Sequence, residues 1–282
     1  MINGYSRDKG DHDMFREVRT NPFIFRWGVN TAGYRWARGR DGKLHLIPRE
    51  QLGSGFRVRE LSDGLFRRYA ELKPTQDAIE DFAREYGGNL LSNYDFLGDL
   101  VVREDDTVTW ATSLETWQTE IGQMKALVRL WDDIRHRRTT VLRNIISTSE
   151  NGVGYCLGGR YVNLAHSDVL LTVPFRRFSH KDVVLPAQYA LQKEINRRLE
   201  DPRSATVPRL AWTPDNHQRL IFVPRNFLAA LWLQFAEAVT EQLRLRRCAE
   251  CGEYFQVGPG ASRSDRTTCG ERCRQRRKRK VR

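Results

Sequence analysis

The chain has 282 residues, of which 40% are hydrophobic and 29% charged, so it holds enough apolar material for a sizeable core and is not wholly disordered. Its 47 Lys and Arg outnumber 35 Asp and Glu, and the formal charge of +12 favours a polyanionic partner, with an anionic membrane surface as second choice. No uncharged apolar run of about 18 residues is present, which excludes a membrane span, and residues 1–15 lack the apolar region of a secretory signal.

Three regions are expected along the chain. Residues 1–20 are polar and predict a flexible N-terminus, residues 21–243 predict a body that binds a ligand or partner, and residues 244–282 predict a finger with a basic helix. In the body, apolar and polar residues alternate on both sides of Asp41-Gly42, which predicts a β-hairpin. A second hairpin is predicted around residues 214–216.

Helical periodicity predicts five helices, at about residues 65–72, 74–88, 114–138, 186–201 and 226–246. The last of them is expected to lead directly into the first cysteine of the finger. The glycine-rich stretch 151–166 predicts a loop, and Cys156 within it is expected to be a small buried hydrophobe. Most of the seven tryptophans are expected to lie in the core.

The positive charge is concentrated at the C-terminus. Residues 244–282 contain 13 Lys or Arg and 4 acidic residues, a formal +9, whereas the other 243 residues together carry only +3. The last nine residues, RQRRKRKVR, hold seven positive charges. The preference for a polyanion therefore belongs to this segment and not to the body.

The same segment holds four of the five cysteines. Two residues separate Cys248 from Cys251, 17 separate Cys251 from Cys269, and three separate Cys269 from Cys273. Two close pairs of this kind can supply four thiolates to one tetrahedral ion, which is the arrangement that structural zinc prefers. The first pair is predicted to lie in a tight turn of a β-hairpin, here called the knuckle, and the second pair in the first turn of a helix. A knuckle followed by such a helix is typical of a treble clef.

The predicted ion, one Zn²⁺ per chain, is expected to be structural. Four protein ligands leave no open position for a water molecule, so the ion is not expected to be catalytic. None of the six histidines lies in residues 218–282, which excludes a histidine–metal nuclease site within the finger. Cysteines used in this way are typical of a reducing cytoplasm, where we expect the protein to be located.

A basic helix is predicted to follow the last cysteine and to contact phosphates, because a helix that is positive nearly all round cannot pack against a core. The candidate contacts are Arg263, Arg266, Arg272, Arg274, Arg276, Arg277, Lys278, Arg279, Lys280 and Arg282. Nothing in these residues indicates which of them would read base edges, or separates RNA from DNA. A solvated terminus that only confers solubility is the alternative.

The segment ALWLQFAEAVTEQLRLRRCAEC, the pair Cys269 and Cys273, and the Arg-rich end resemble the fingers of bacterial CGNR-type zinc-finger proteins. In that family a helical N-terminal region precedes a treble clef. The resemblance covers about 55 residues, and the letters CGER stand here at the third cysteine, so ligand roles carry over only to the four cysteines. The family is regarded as one of transcriptional regulators, which implies a DNA partner rather than RNA.

The sequence therefore predicts an α+β protein, with an α-rich body, small β-hairpins and a C-terminal treble-clef-like finger. Its predicted function is zinc-dependent binding of nucleic acid, as a bacterial transcriptional regulator without catalytic residues. Two alternatives stay open. In the first, the body holds an enzyme site for a nuclease reaction or a small ligand, and the finger delivers that site to nucleic acid. In the second, the finger binds an acidic protein.

Overall fold

The computed structural model describes residues 26–49, 56–91, 100–102, 108–149, 152–164, 182–204, 206–212, 216–258 and 264–281, which form an α+β protein with small antiparallel sheets. The helices are α1 (Leu65–Glu71), α2 (Gln76–Tyr86), α3 (Leu114–Arg135), α4 (Thr139–Leu142), α5 (Val184–Glu200), α6 (Phe227–Thr240) and α7 (Glu271–Val281). The strands are β1 (Arg26–Asn30), β2 (Tyr34–Arg38), β3 (Leu44–Pro48), β4 (Phe56–Glu60), β5 (Leu100–Val102), β6 (Val108–Trp110), β7 (Thr112–Ser113), β8 (Ile146–Ser149), β9 (Gly152–Leu157), β10 (Arg160–Asn163), β11 (Thr206–Trp212), β12 (Gln218–Pro224), β13 (Arg244–Arg247) and β14 (Tyr254–Val257). The predicted fold class is confirmed.

A helical core holds the body together. Its largest fully buried side chains include Trp117 on α3, Trp232 on α6 and Phe66 on α1. The ring of Phe66 lies 5.2 Å from that of Phe235 and 6.2 Å from that of Trp131, centroid to centroid, which are favourable separations for aromatic pairs. The apolar faces predicted for α3 and α6 therefore both pack against α1.

Short-range signals set the helix ends. Ser113 Oγ accepts the backbone N–H of Thr116 at 3.1 Å and caps α3, and Asn226 Oδ1 accepts that of Ala229 at 2.8 Å and caps α6. Gly87, with φ of 108°, ends α2 as the sequence predicts. Among the helices in the described part of the chain, none combines the length and apolar character that a membrane crossing needs.

Both predicted hairpins are present, as β2–β3 and β11–β12. In the described residues, the sheets are β1–β4, β2–β3–β7, β5–β6, β10–β9–β8, β11–β12 and β13–β14. Each sheet has only two or three strands, and neighbouring strands within a sheet are antiparallel.

Within the glycine-rich stretch, residues 152–163 form two strands of a sheet, and the prediction of a loop there was wrong. Strand β9 pairs with β8 on one side and β10 on the other. Gly158 and Gly159 take positive φ angles of 58° and 77°, which a tight two-residue hairpin turn requires. The expectation that Cys156 is buried was also wrong, because alternation along β9 places the neighbouring Tyr155 in the core and Cys156 in solvent.

Two helices end earlier than predicted. The helix α3 stops at Arg135, and α6 stops at Thr240 although its apolar pattern continues to residue 246. Gln242 adopts a left-handed φ of 50°, after which Arg244–Arg247 pair with Tyr254–Val257 as strands. Strand pairing within the finger therefore overrides the helical pattern of the sequence.

Among the tryptophans whose burial the structure describes, Trp27, Trp117, Trp131 and Trp232 are buried as expected, and Trp36 packs half-buried against the core. Trp212 on β11 is the exception, since it is 62% exposed.

One ion pair lies inside the helical core. Arg198 on α5 and Glu120 on α3 are 2% and 3% exposed, and Arg198 Nη1 lies 3.3 Å from Glu120 Oε1. The guanidinium also lies 5.3 Å from the ring centroid of Trp232. Burial raises the pKa of Glu120, and the charge of Arg198 opposes that rise. This buried ion pair therefore links α3 to α5 within the core.

A second carboxylate ties the β10–β9–β8 sheet to α5. Glu194 accepts hydrogen bonds from Tyr155 Oη at 2.6 Å, Arg160 Nη2 at 2.7 Å and Arg197 Nε at 2.8 Å. Burial by itself raises the pKa of Glu194, but these three donors outweigh burial and lower the pKa below its ordinary 4.5.

We expect Glu194→Gln to lower the free energy of unfolding by about 2 kcal/mol at neutral pH, because it removes charged acceptors from three donors. The pKa of Glu194 is lower in the folded than in the unfolded chain, so the wild-type advantage is complete above about pH 5 and is lost as pH falls through the folded-state pKa. Denaturant unfolding at a series of pH values measures this, with Glu200→Gln on the exposed side of α5 as the control. A stability difference that does not change with pH contradicts the assignment.

Candidate metal centre and basic helix

The first cysteine pair lies on a tight turn between β13 and β14. The N–H of Cys248 donates to the carbonyl of Glu253 at 2.7 Å, and the N–H of Gly252 donates to the carbonyl of Cys248 at 3.0 Å. Gly252 has φ of 76°, a conformation that side chains rarely adopt, which explains a glycine directly after Cys251. The predicted knuckle on a hairpin is present.

The second pair lies at the start of α7, with Cys269 just before the helix and Cys273 in its first turn. The N–H of Cys269 donates to Cys248 Sγ at 3.3 Å, and the N–H of Ala249 donates to the carbonyl of Thr267 at 2.9 Å. These two bonds fix the helix start against the knuckle. The hairpin and helix together give the predicted treble-clef-like order.

The four Sγ atoms of Cys248, Cys251, Cys269 and Cys273 all lie within 4.8 Å of one another. Cys269 Sγ lies 3.5 Å from both Cys251 Sγ and Cys273 Sγ. A tetrahedral ion with sulfur bonds of about 2.3 Å requires sulfur–sulfur separations of about 3.8 Å, so the cluster has the dimensions of a four-thiolate metal site. The structure therefore brings together all four predicted ligands in a site that can hold a metal ion.

Backbone donors favour ionisation of one thiol in the cluster, that of Cys248. Burial opposes ionisation of Cys248, but N–H groups of Cys251, Cys269 and Glu250 outweigh it and lower the pKa of the thiol from 9.0 to about 6. Burial, together with hydrogen bonds to the neighbouring sulfurs, raises the pKa of Cys269. Without a cation, close thiolates suppress one another's ionisation, and a bound cation removes that restriction.

The finger has only a small apolar core. Phe255 and Val257 are 5% and 8% exposed and pack with the cysteine side chains. Arg266 lies 5.9 Å from the ring centroid of Phe255 and donates from Nη2 to the carbonyl of Cys269 at 3.0 Å. Arg266, predicted as a phosphate contact, is thus half-buried and supports the metal site from within the finger.

The helix α7 has an inner face and an outer face. Cys273, Arg277 and Lys280 recur at helical spacing on the inner face, where Arg277 Nη1 donates to Thr267 Oγ1 at 3.1 Å and Lys280 Nζ lies 2.8 Å from Glu250 Oε1. Every cation of the helix within residues 271–280 is exposed, and those that lie away from the inner face, here called the outer face, are Arg272, Arg274, Arg276, Lys278 and Arg279. Arg274 is paired with Glu271, and the other four make no ion pair with any residue that the structure describes.

A groove of about 1040 Å³ runs between α7 and the segment that precedes it. Arg274, Arg277, Lys278 and Arg279 line it from the helix, and Arg266 lines it from the other side. Two carboxylates, of Asp265 and Glu271, also line the groove. Because Lys and Arg outnumber the carboxylates in the lining, the groove carries a net positive charge. The predicted contacts Arg263 and Arg282 lie outside the described residues.

The finger contacts the body through residues that the sequence did not single out. Glu253, between the knuckle and β14, pairs with Arg68 on α1 and accepts a hydrogen bond from Tyr86 Oη at 2.8 Å. Arg68 Nη1 also donates to Tyr86 Oη at 2.7 Å, and the hydroxyl of Tyr254 donates to Glu71. The finger residues Glu253 and Tyr254 are more than 160 residues away in sequence from these partners in the body, so no local pattern could have revealed the contacts.

Comparisons with protein-family models, with curated protein sequences and with solved structures find no match to this chain.

We expect the reduced full-length chain to bind one metal ion, and Cys273→Ser to lose it together with the ordered finger. Cys156→Ser is the matched control and keeps the ion, because Cys156 is an exposed free cysteine on β9. Elemental analysis measures the stoichiometry. In the loaded protein one thiol reacts rapidly with a thiol reagent, and the other four react only after a chelator removes the ion. Equal metal loss in both variants, or five equally reactive thiols in the loaded chain, contradicts the assignment.

Proposed function

We propose that the chain is a zinc-dependent nucleic-acid-binding protein, a bacterial transcriptional regulator that holds DNA rather than RNA through phosphate contacts of α7. The observation that carries the proposal is the outer face of this helix. It presents five exposed cations, four of them without an acidic partner among the described residues. A surface of this kind attracts a dense row of negative charges such as phosphates.

Zinc is the ion that best suits the four-sulfur cluster. Soft thiolate ligands in a tetrahedral arrangement favour zinc among the common cellular divalent ions, whereas magnesium and calcium prefer oxygen. With all four positions filled by cysteine, the ion has no place for a substrate or a reactive water. Its role is to hold α7 against the knuckle.

Two features support a phosphate backbone over an acidic protein as the partner. The cations Arg272, Arg276 and Arg279 repeat along one side of α7, which suits the regular spacing of phosphates. The outer face of α7 also offers no large apolar side chain among the described residues, and such anchors are typical of protein interfaces. The resemblance to CGNR-type fingers supports DNA and a regulatory role.

We expect the triple variant Arg276→Ala, Lys278→Ala, Arg279→Ala to weaken duplex DNA binding about 100-fold in low salt. We further expect it to reduce the slope of log affinity against log salt by about 3, one unit for each lost phosphate contact. Fluorescence anisotropy with labelled duplex DNA measures both quantities. The control triple variant, Lys73→Ala, Arg129→Ala, Arg143→Ala, removes the same charge from exposed positions of the body.

Equal weakening by the two triple variants contradicts the proposal, because it shows a response to total charge alone. Undiminished binding in the α7 variant contradicts it as well. Parallel titrations with duplex RNA test the choice of DNA, which fails if RNA binds as tightly. Elemental analysis of the purified chain identifies the ion, and any stoichiometric metal other than zinc overturns that part of the proposal.

A further inference from the structure

Four of the large apolar side chains that are exposed in the described chain lie on one face of the β11–β12 hairpin. Leu210, Trp212, Leu220 and Phe222 are 72%, 62%, 63% and 55% exposed. The strand register places Leu210 directly opposite Leu220, Pro208 opposite Phe222, and Trp212 opposite Gln218. Since residues opposite each other in an antiparallel pair share a face, these side chains form one continuous apolar surface.

This surface, here called the hairpin face, is large for an isolated chain. Four side chains of this size and exposure present about 500 Å² of apolar area, near the upper limit for the biggest patch on a soluble monomer. Two such faces in contact would bury about 1,000 Å², which is the smallest area expected of a specific, stable interface.

The two faces of the hairpin differ in exposure. Val207, Ala211, Ile221 and Val223 on its opposite face are half-buried. On the hairpin face, Thr206 and Phe222 near the base of the ribbon line a cavity of about 440 Å³ with Ala236 of α6, and Leu210, Trp212 and Leu220 extend beyond it. A two-stranded ribbon is marginally stable in water unless a hydrophobic face is covered. Covering the hairpin face therefore stabilises the ribbon itself.

The hairpin face is complementary to itself. It has the pair Leu210–Leu220 at its centre and one aromatic ring at each end, on opposite strands. When two copies are stacked with a two-fold axis in the plane between them, the leucine pairs meet. Each ring of Trp212 or Phe222 then lies over Pro208 or Gln218 of the other copy. The same placement results whether the two-fold axis runs along the strands or across them. In either arrangement, an aromatic ring of one copy lies over a smaller side chain of the other.

The charge distribution agrees with pairing of identical chains. The hairpin face contains no charged residue, because Arg209 and Arg219 alternate to the other face. Two molecules that each carry a formal charge of +12 can therefore meet there without placing like charges in contact. A neutral face also gives no electrostatic preference for a different, charged partner.

We propose that a second copy of this chain covers the hairpin face, so that the protein is a two-fold symmetric dimer joined through β11 and β12. The inference is independent of the proposed function of α7.

Sedimentation equilibrium of the full-length, metal-loaded chain tests it, after nuclease treatment and in high salt so that nucleic acid does not bridge molecules. We expect the mass of two chains at concentrations down to about 1 μM. We expect Leu210→Lys to weaken association about 100-fold or more, because a symmetric interface carries the substitution twice. Val58→Lys is the matched control, since Val58 on β4 is 64% exposed, and it leaves the dimer intact.

Circular dichroism and metal content confirm that the variants are folded. If Leu210→Lys proves unfolded, Leu220→Gln provides the milder substitution at the centre of the face. A wild-type mass of one chain at about 100 μM overturns the proposal, whether the face is covered within the chain or left bare. A dimer that Leu210→Lys or Leu220→Gln dissociates no more than Val58→Lys does also overturns it.

Discussion

Four cysteine sulfurs within 4.8 Å of one another dictate the shape of the C-terminal segment. The apolar content of this segment is essentially Phe255 and Val257, which is too little to fold about forty residues that carry a large net charge. A cation bound among the thiolates would supply the missing cohesion and would also cancel the repulsion between them. The position of α7, and hence of every cation on its outer face, depends on this cysteine cluster.

Three of the four acidic residues of the finger are paired with cations of the same protein, which leaves a large positive excess to solvent. Glu250 pairs with Lys280, Glu271 pairs with Arg274, and Glu253 is directed away from α7 towards Arg68 of the body. The contact through Glu253 begins two residues after Cys251, so the knuckle is held both by its sulfurs and by α1. Metal centre and body thus form a continuous support for the outer face of the basic helix.

The sequence predicted best where the signal is local and chemical. The spacing of the cysteines identified all four members of the cluster, and capping residues such as Asn226 mark helix starts that the structure retains. It failed where strand pairing competes with helical periodicity, as at Arg244–Arg247, and where glycines form a turn within a sheet, as at Gly158. Contacts between distant segments, such as Tyr86 with Glu253, leave no pattern in the sequence at all.

The hairpin shows how a pattern can be correctly assigned and still be incompletely understood. Residues 220–223 read Leu-Ile-Phe-Val, a continuous apolar run that is typical of a strand covered on both faces rather than one half-exposed to water. In the structure Ile221 and Val223 are half-buried, whereas Leu220 and Phe222 are 63% and 55% exposed. Sequence pattern and exposed area therefore both favour the proposed further layer on the hairpin face. The proposed two-fold axis at the hairpin face would relate two copies of α7 as well. The phosphates of duplex DNA are also related by two-fold axes, so duplex DNA is a polyanion that suits such a pair of helices.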